Sequence, residues 1–162
     1  MWAVASTTLL AGCLDDLRSR KVSNILIIGL FVLVTLANFY FRGIEESIPG
    51  VLALILALVM TAPLFSFGVL GGGDVKLFAV FAFALDPMSM FWTLVYSFFW
   101  GALFGFTRAS VEKQLPMLVR NTYRLSRLQK LQSQSVQKIP YTFALLLGWF
   151  TQLTFMRYGA LI

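Results

Sequence analysis

Apolar residues along this chain gather into runs broken by short polar or turn-forming stretches. The runs cover Trp2 to Leu14, Ile25 to Phe41, Gly50 to Phe67, Asp74 to Leu85, Met88 to Thr107 and Tyr141 to Met156. A membrane-crossing helix needs about 20 predominantly apolar residues. The pattern therefore predicts an all-α, polytopic membrane protein with about six transmembrane helices, residues 1–162 forming one membrane-embedded domain. Gly43 and Pro49 mark the turn after the second run, Asp86-Pro87 marks the turn after the fourth, and Pro63 is expected to kink or end the third. The fourth run is short: its twelve residues make about 18 Å of helix, against a hydrocarbon core of about 30 Å. Asp74, its first residue, is expected below the membrane surface, where irregular backbone needs cover from protein or a watery cavity.

Residues 108–138 form the one long polar segment, with seven cations and a single acid, Glu112. Val111, Leu115, Leu118, Leu125 and Leu128 recur at helical spacing, as do Arg120, Arg124 and Arg127. Such a pattern predicts a basic amphipathic helix lying on the anionic cytoplasmic leaflet, which makes membrane lipid a partner. A solvated helical connector is the plainer alternative.

Composition supports the membrane assignment, at 59% hydrophobic and 12% charged. A soluble domain carries about twice that share of charge. The formal charge of +6 would invite a nucleic-acid partner, but its distribution argues against one. With the polar loops alternating in side, Arg18, Arg20, Lys21, Lys76 and all seven cations of the basic segment fall on one face, leaving Arg42 and Arg157 on the other. Such an asymmetry is the positive-inside rule, and it predicts a multi-pass cell (inner) membrane protein with both termini outside. The N-terminal run is expected to be an uncleaved span, since its cations follow the apolar residues instead of preceding them.

There is one cysteine, Cys13, and no histidine. Ser-His and Cys-His nucleophile pairs, intrachain disulfides and the usual zinc sites are thereby excluded, and neither cofactor nor metal is expected. Cys13 reads as a small apolar residue packed in a helix.

Of the seven acids, Glu45, Glu46 and Asp86 fall outside and Glu112 sits in the basic segment, leaving Asp15, Asp16 and Asp74 at the cytoplasmic face. An ionisable group in a membrane segment is costly and reads as functional. Asp74 follows Gly71-Gly72-Gly73, and glycine permits positive φ and close approach, so a chain break exposing Asp74 is expected at Gly71 and Gly73. Two adjacent carboxyl groups do not readily both ionise; one can hold a proton while the other activates water. Aspartic peptide hydrolysis is among the few hydrolytic chemistries left to such a chain.

Gly71-Gly72-Gly73-Asp74 with Val75-Lys76-Leu77 resembles the G-x-G-D motif and its continuation in type IV prepilin peptidases. Asp16 to Asn24, an Asp followed eight residues later by Asn, resembles the other half of that signature, and Ile139-Pro140-Tyr141 also looks like the family. The resemblance implies an aspartyl endopeptidase with Asp16 and Asp74 as the catalytic pair. Its partner would be a pilin-like or preflagellin-like precursor, cut behind a short basic leader at the cytoplasmic face. Length and cysteine content fit the minimal branch without a methyltransferase domain, as found with Flp/Tad-type pili or archaeal preflagellins.

Ser23 stands where that family usually has Pro, and Asp15 doubles the first acidic position. Adjacent helical residues point about 100° apart, so one of Asp15 and Asp16 can face Asp74; register with Asn24 favours Asp16 and leaves Asp15 a solvated residue at a helix end. Lys76 either tunes the pair or orients a substrate carbonyl, or it snorkels as a positive-inside anchor. Asn24 either caps the second span or positions Asp16. Two other classes compete with the peptidase: a small proton- or cation-coupled transporter, and a non-catalytic pilus-assembly scaffold. The sequence says nothing of oligomeric state.

Overall fold

The computed structural model describes residues 1–19, 22–43, 45–111 and 141–159, and every regular element among them is helical. In order they are α1 (Trp2–Ser19), α2 (Asn24–Phe41), α3 (Ile48–Ser66), α4 (Gly72–Phe83), α5 (Pro87–Val111) and α6 (Tyr141–Gly159), with one 3-10 turn at Glu45–Ser47. The fold is all-α, as expected. Three segments, Asn24–Phe41, Ile48–Ser66 and Pro87–Thr107, are long and apolar enough to cross a membrane. The other three helices fall short of that test, α1 by carrying Asp15, Asp16 and Arg18, α4 by having 12 residues, and α6 by its threonines, Gln152 and Arg157. The expected amphipathic helix over 108–138 lies, beyond the end of α5, outside the described residues.

Helix α4 is the centre of the bundle. It packs on α1, α2, α3 and α6, and every residue from Leu77 to Phe83 is buried. A helix apolar on all sides has no face to give to solvent and belongs inside. Around it, α6 pairs with both α5 and α1, α5 reaches α3, and α2 and α3 pack on α4 more than on each other.

Lipid tails are as apolar as leucine, so helices associate here through close van der Waals packing and polar ties. Small residues supply the closeness. The buried stripe of α3 is Gly50, Ala53, Ala57 and Thr61. A Cβ on Gly50 would stand 2.5 Å from the Phe83 carbonyl oxygen, and one on Gly148 of α6 would stand 2.7 Å from the Ser97 nitrogen of α5. At the far end of α4, Asn38 donates its side-chain amide to the Phe83 oxygen at 2.9 Å, satisfying one of the carbonyls a helix C-terminus leaves open.

Several boundaries differ from the sequence expectation, each for a local reason. Helix α1 continues past Leu14 to Ser19, so both aspartates sit in its last turns and not in a loop. Pro63 lies inside α3 without ending it, and Pro49 lies in its first turn, where a missing N–H costs nothing. Positive φ falls at Gly43 and Gly68, not in the run Gly71 to Gly73. Gly68 closes α3: its N–H bonds to Phe65 O and that of Val69 to Leu64 O, each at 2.9 Å, the paired reversal in which glycine takes the left-handed position.

Asp86 precedes Pro87 and accepts from the Ser89 N–H at 3.0 Å, capping α5. Burial alone would raise its carboxyl pKa, but the Ser89 hydrogen bonds and the charge of Arg42 outweigh that and hold it below the usual carboxylate value. The folded state therefore favours the ionised form. That contribution is complete above the unfolded value of about 4 and disappears as pH falls through the lower folded value. Asp86→Asn keeps an acceptor but no charge. Thermal unfolding in detergent is expected to show it less stable than wild type at pH 6 by at most about 1 kcal/mol, given solvent screening, with the difference closing toward pH 3.

Candidate active site

The buried stripe of α1 runs Ala5, Thr8, Leu9, Gly12, Cys13, Asp16, and steps of four, three and four residues connect Ala5, Leu9, Gly12 and Asp16. Asp16 thus continues the face that meets the core, and it is 7% exposed. Asp15, about 100° around the helix, is only partly buried.

Gly12 fixes where α1 meets α4. A Cβ there would overlap the side chain of Leu77. Past the end of α1, Val22 lies against Gly73, whose own Cβ would stand 3.3 Å from Val22 Cβ. Later residues of the first strand of chain thus meet earlier residues of the second, so the two helices are antiparallel. Asp16 follows Gly12 by four residues and Asp74 precedes Leu77 by three. Those are same-face steps, so both carboxylates stand one turn beyond the same contact, toward the same end.

Each carboxylate is held by neighbours. Asp16 Oδ2 accepts from the Thr142 hydroxyl of α6 at 2.7 Å, in a buried position, with the Cys13 thiol beside both groups. Asp74 is the third residue of α4, and its Oδ2 accepts from the Gly71 N–H at 3.2 Å. A carboxylate there meets the unpaired N–H groups and positive end of the helix. Gly71 has extended backbone, φ −75° and ψ 149°. The glycine run therefore serves close approach and not unusual torsions: Gly71 leaves room for the Asp74 carboxylate, Gly72 for the Phe65 ring and Gly73 for Val22.

The remaining candidates fall close by. Lys76 is exposed and donates to Asn24 Oδ1 at 3.0 Å. Asn24 does not cap α2: Ser23 holds the N-cap position and shows no side-chain cap bond. Asp15 is no bystander either, because its Oδ2 accepts from the Ser23 N–H at 2.7 Å and closes the α1–α2 link.

The sequence motifs reached α6 only at Tyr141 and missed Thr142. Beside Thr142, Tyr141 shares a 2.7 Å hydrogen bond with Ser97 of α5, and the Asp74 charge bears on its hydroxyl. The signal was present in the stripe Thr142, Leu145, Trp149, Gln152, spaced three, four and three. Trp149 in that stripe touches Phe81 ring to edge and donates to Ser6 Oγ at 2.9 Å, so the stripe faces α4 and α1.

A model of the type IV leader peptidase family matches residues 3–106, which include Asp16 and Asp74 and stop short of α6. No curated protein and no solved structure matches the chain.

Two outcomes follow from the geometry. Gly12→Ala is expected to destabilise the protein by about 1–3 kcal/mol through overpacking at the α1–α4 contact, and in a double-mutant cycle read by detergent unfolding it is expected to cost less in a Leu77→Ala background than in wild type. Asp15→Ala is expected to cost about 1 kcal/mol, the scale of a partly exposed charge-assisted hydrogen bond. Asp15→Asn, which keeps an acceptor, should cost less than half of that in the same measurement.

Proposed function

The chain belongs to the type IV leader peptidase family, and we propose that it is an aspartyl endopeptidase in which Asp16 and Asp74 activate water against the peptide bond behind a basic leader. The observation that carries this reading is the antiparallel α1–α4 contact at Gly12 and Leu77, with one carboxylate a turn beyond it on each helix.

In this scheme one carboxylate takes a proton from water as the oxygen attacks the scissile carbonyl carbon, and the other carboxyl group gives its proton to the carbonyl oxygen. The resulting diol collapses, the C–N bond breaks, and the proton first taken from water goes to the leaving amine. No enzyme-bound covalent intermediate forms, so neither a nucleophilic side chain nor a histidine is required.

The substrate is a pilin-like precursor whose basic leader precedes an apolar helix. Orientation follows from charge: Arg18 and Lys76 lie at the aspartate end of the bundle, whereas Arg42 lies by Asp86 at the other. By the positive-inside rule the aspartate end is cytoplasmic, in the inner membrane. Lys76 then acts as a snorkelling anchor that ties α4 to the start of α2 through Asn24.

Co-expression with a precursor carrying a short basic leader, a glycine and an apolar helix tests the reading, in a host without its own leader peptidase. Asp16→Asn and Asp74→Asn are each expected to lower leader removal by at least about 100-fold, the usual scale of acid–base catalysis, while both variants still insert in the membrane. Asp15→Asn is expected to keep cleavage. Wild-type processing by either Asp16→Asn or Asp74→Asn would overturn the pair.

A further inference from the structure

Most threonines inside these helices turn their hydroxyls back on their own backbone. Thr8, Thr35, Thr61, Thr93 and Thr151 each donate to the carbonyl four residues earlier. That is the usual resting place for a helical threonine. Thr142 is the second residue of α6, so the helix offers it no such carbonyl. Its hydroxyl is spent on Asp16 Oδ2 instead, at 2.7 Å and with Thr142 fully buried.

We propose that Thr142 is a positioning residue for the Asp16 carboxylate, holding Oδ2 so that Oδ1 is the oxygen presented to water and to Asp74. The inference rests on the reading of Asp16 as one of the two acid–base groups. An aspartate's terminal torsion is broad and nearly two-fold, so an unheld carboxylate interchanges its oxygens. Among the described residues Oδ1 has no protein partner, and it is not one of the buried polar atoms sealed from solvent. One oxygen is therefore held by Thr142, and no described residue holds the other.

The hydroxyl is itself anchored. Tyr141, the preceding residue, is tied to Ser97 of α5 at 2.7 Å, and its ring lies 6.1 Å from that of Phe98. Leu145, one turn on, is fully buried, and so is Trp149, which locks α6 to α1 through Ser6. Tyr141 also lies within electrostatic range of Asp74. One turn of α6 thus addresses both aspartates, although it belongs to neither motif that carries them.

Purified full-length variants, assayed on the precursor that the wild-type protein cleaves, separate positioning from packing. Thr142→Val keeps the shape and removes the hydroxyl; its kcat is expected to fall about 10- to 100-fold, with KM within about twofold and detergent melting only slightly lowered by the lost interhelical bond. Thr142→Ser keeps the hydroxyl and is expected to stay within about threefold of wild type. Should Thr142→Val not insert, Thr142→Ala carries the same expectation. Wild-type kcat in the variant lacking the hydroxyl, or a Thr142→Ser variant as slow as it, overturns the inference. If Asp16→Asn is inactive while Thr142→Val is unimpaired, the inference fails alone; if Asp16→Asn is active, the acid–base reading fails with it.

Discussion

The burial of a twelve-residue helix governs this structure. Helix α4 is apolar from Leu77 to Phe83 and covered on all sides, so its neighbours must meet the bundle's needs for both closeness and polarity. In lipid the packing gain depends on how nearly the backbones approach. Gly12 and Gly50, with Ala53 and Ala57 in the stripe of α3, are small where a larger residue would hold α1 or α3 away. The same contact that brings α1 down onto Leu77 sets the level at which Asp16 and Asp74 stand. Packing and the placement of the two carboxylates thus depend on one crossing.

The polar ties between helices have a different task. Each interhelical hydrogen bond in a membrane contributes about 0.6–2 kcal/mol, too little to hold six helices together against loose packing. Their value lies in orientation. Asn38 to the Phe83 carbonyl, Trp149 to Ser6, Trp100 to Thr151 and Thr142 to Asp16 each fix rotation or register between two helices whose apolar surfaces alone would tolerate slippage. Asp15 does this at the link, where its bond to the Ser23 N–H brings the chain back toward Gly73.

Much of this was legible in the sequence because apolar runs, proline positions and glycine clusters report local physics. The all-helical class, the extent of α2 and the shortness of α4 follow from run lengths. The end of α1 was not legible, since charged residues stop an apolar run without stopping a helix. Nor was the true work of the glycines: Gly68 takes positive φ through a helix-ending reversal that depends on α3, while Gly71 to Gly73 only make room. Ser23 is instructive. Its φ of −67° is the value that a proline would impose, and the N–H that a proline would lack is the one given to Asp15. The extra aspartate and the missing proline are thus two halves of one arrangement, invisible while each is read alone. Asn24 with Lys76 and Asp16 with Thr142 were hidden for a simpler reason: 52 and 126 residues separate the partners, and nothing local announces the pairing.

The level of Asp74 relative to α3 follows from these contacts. The carbonyl of Phe83 lies against Gly50, which levels the C-terminal end of α4 with the start of α3. From Phe83 back to Asp74 is nine residues, about 14 Å of helix, whereas Gly50 to Ser66 is sixteen residues, about 24 Å. Helix α3 therefore outruns α4 by about 10 Å at the aspartate end when the two axes are taken as parallel. The reversal at Gly68 and the extended Gly71 bring the chain back down that distance, and the Phe65 ring closes over Gly72 on the way. Asp74 is consequently set back from the C-terminal end of α3, beside Val22 in the α1–α2 link. Lys76 lies two residues farther along α4, and its long side chain reaches back to Asn24 at the start of α2.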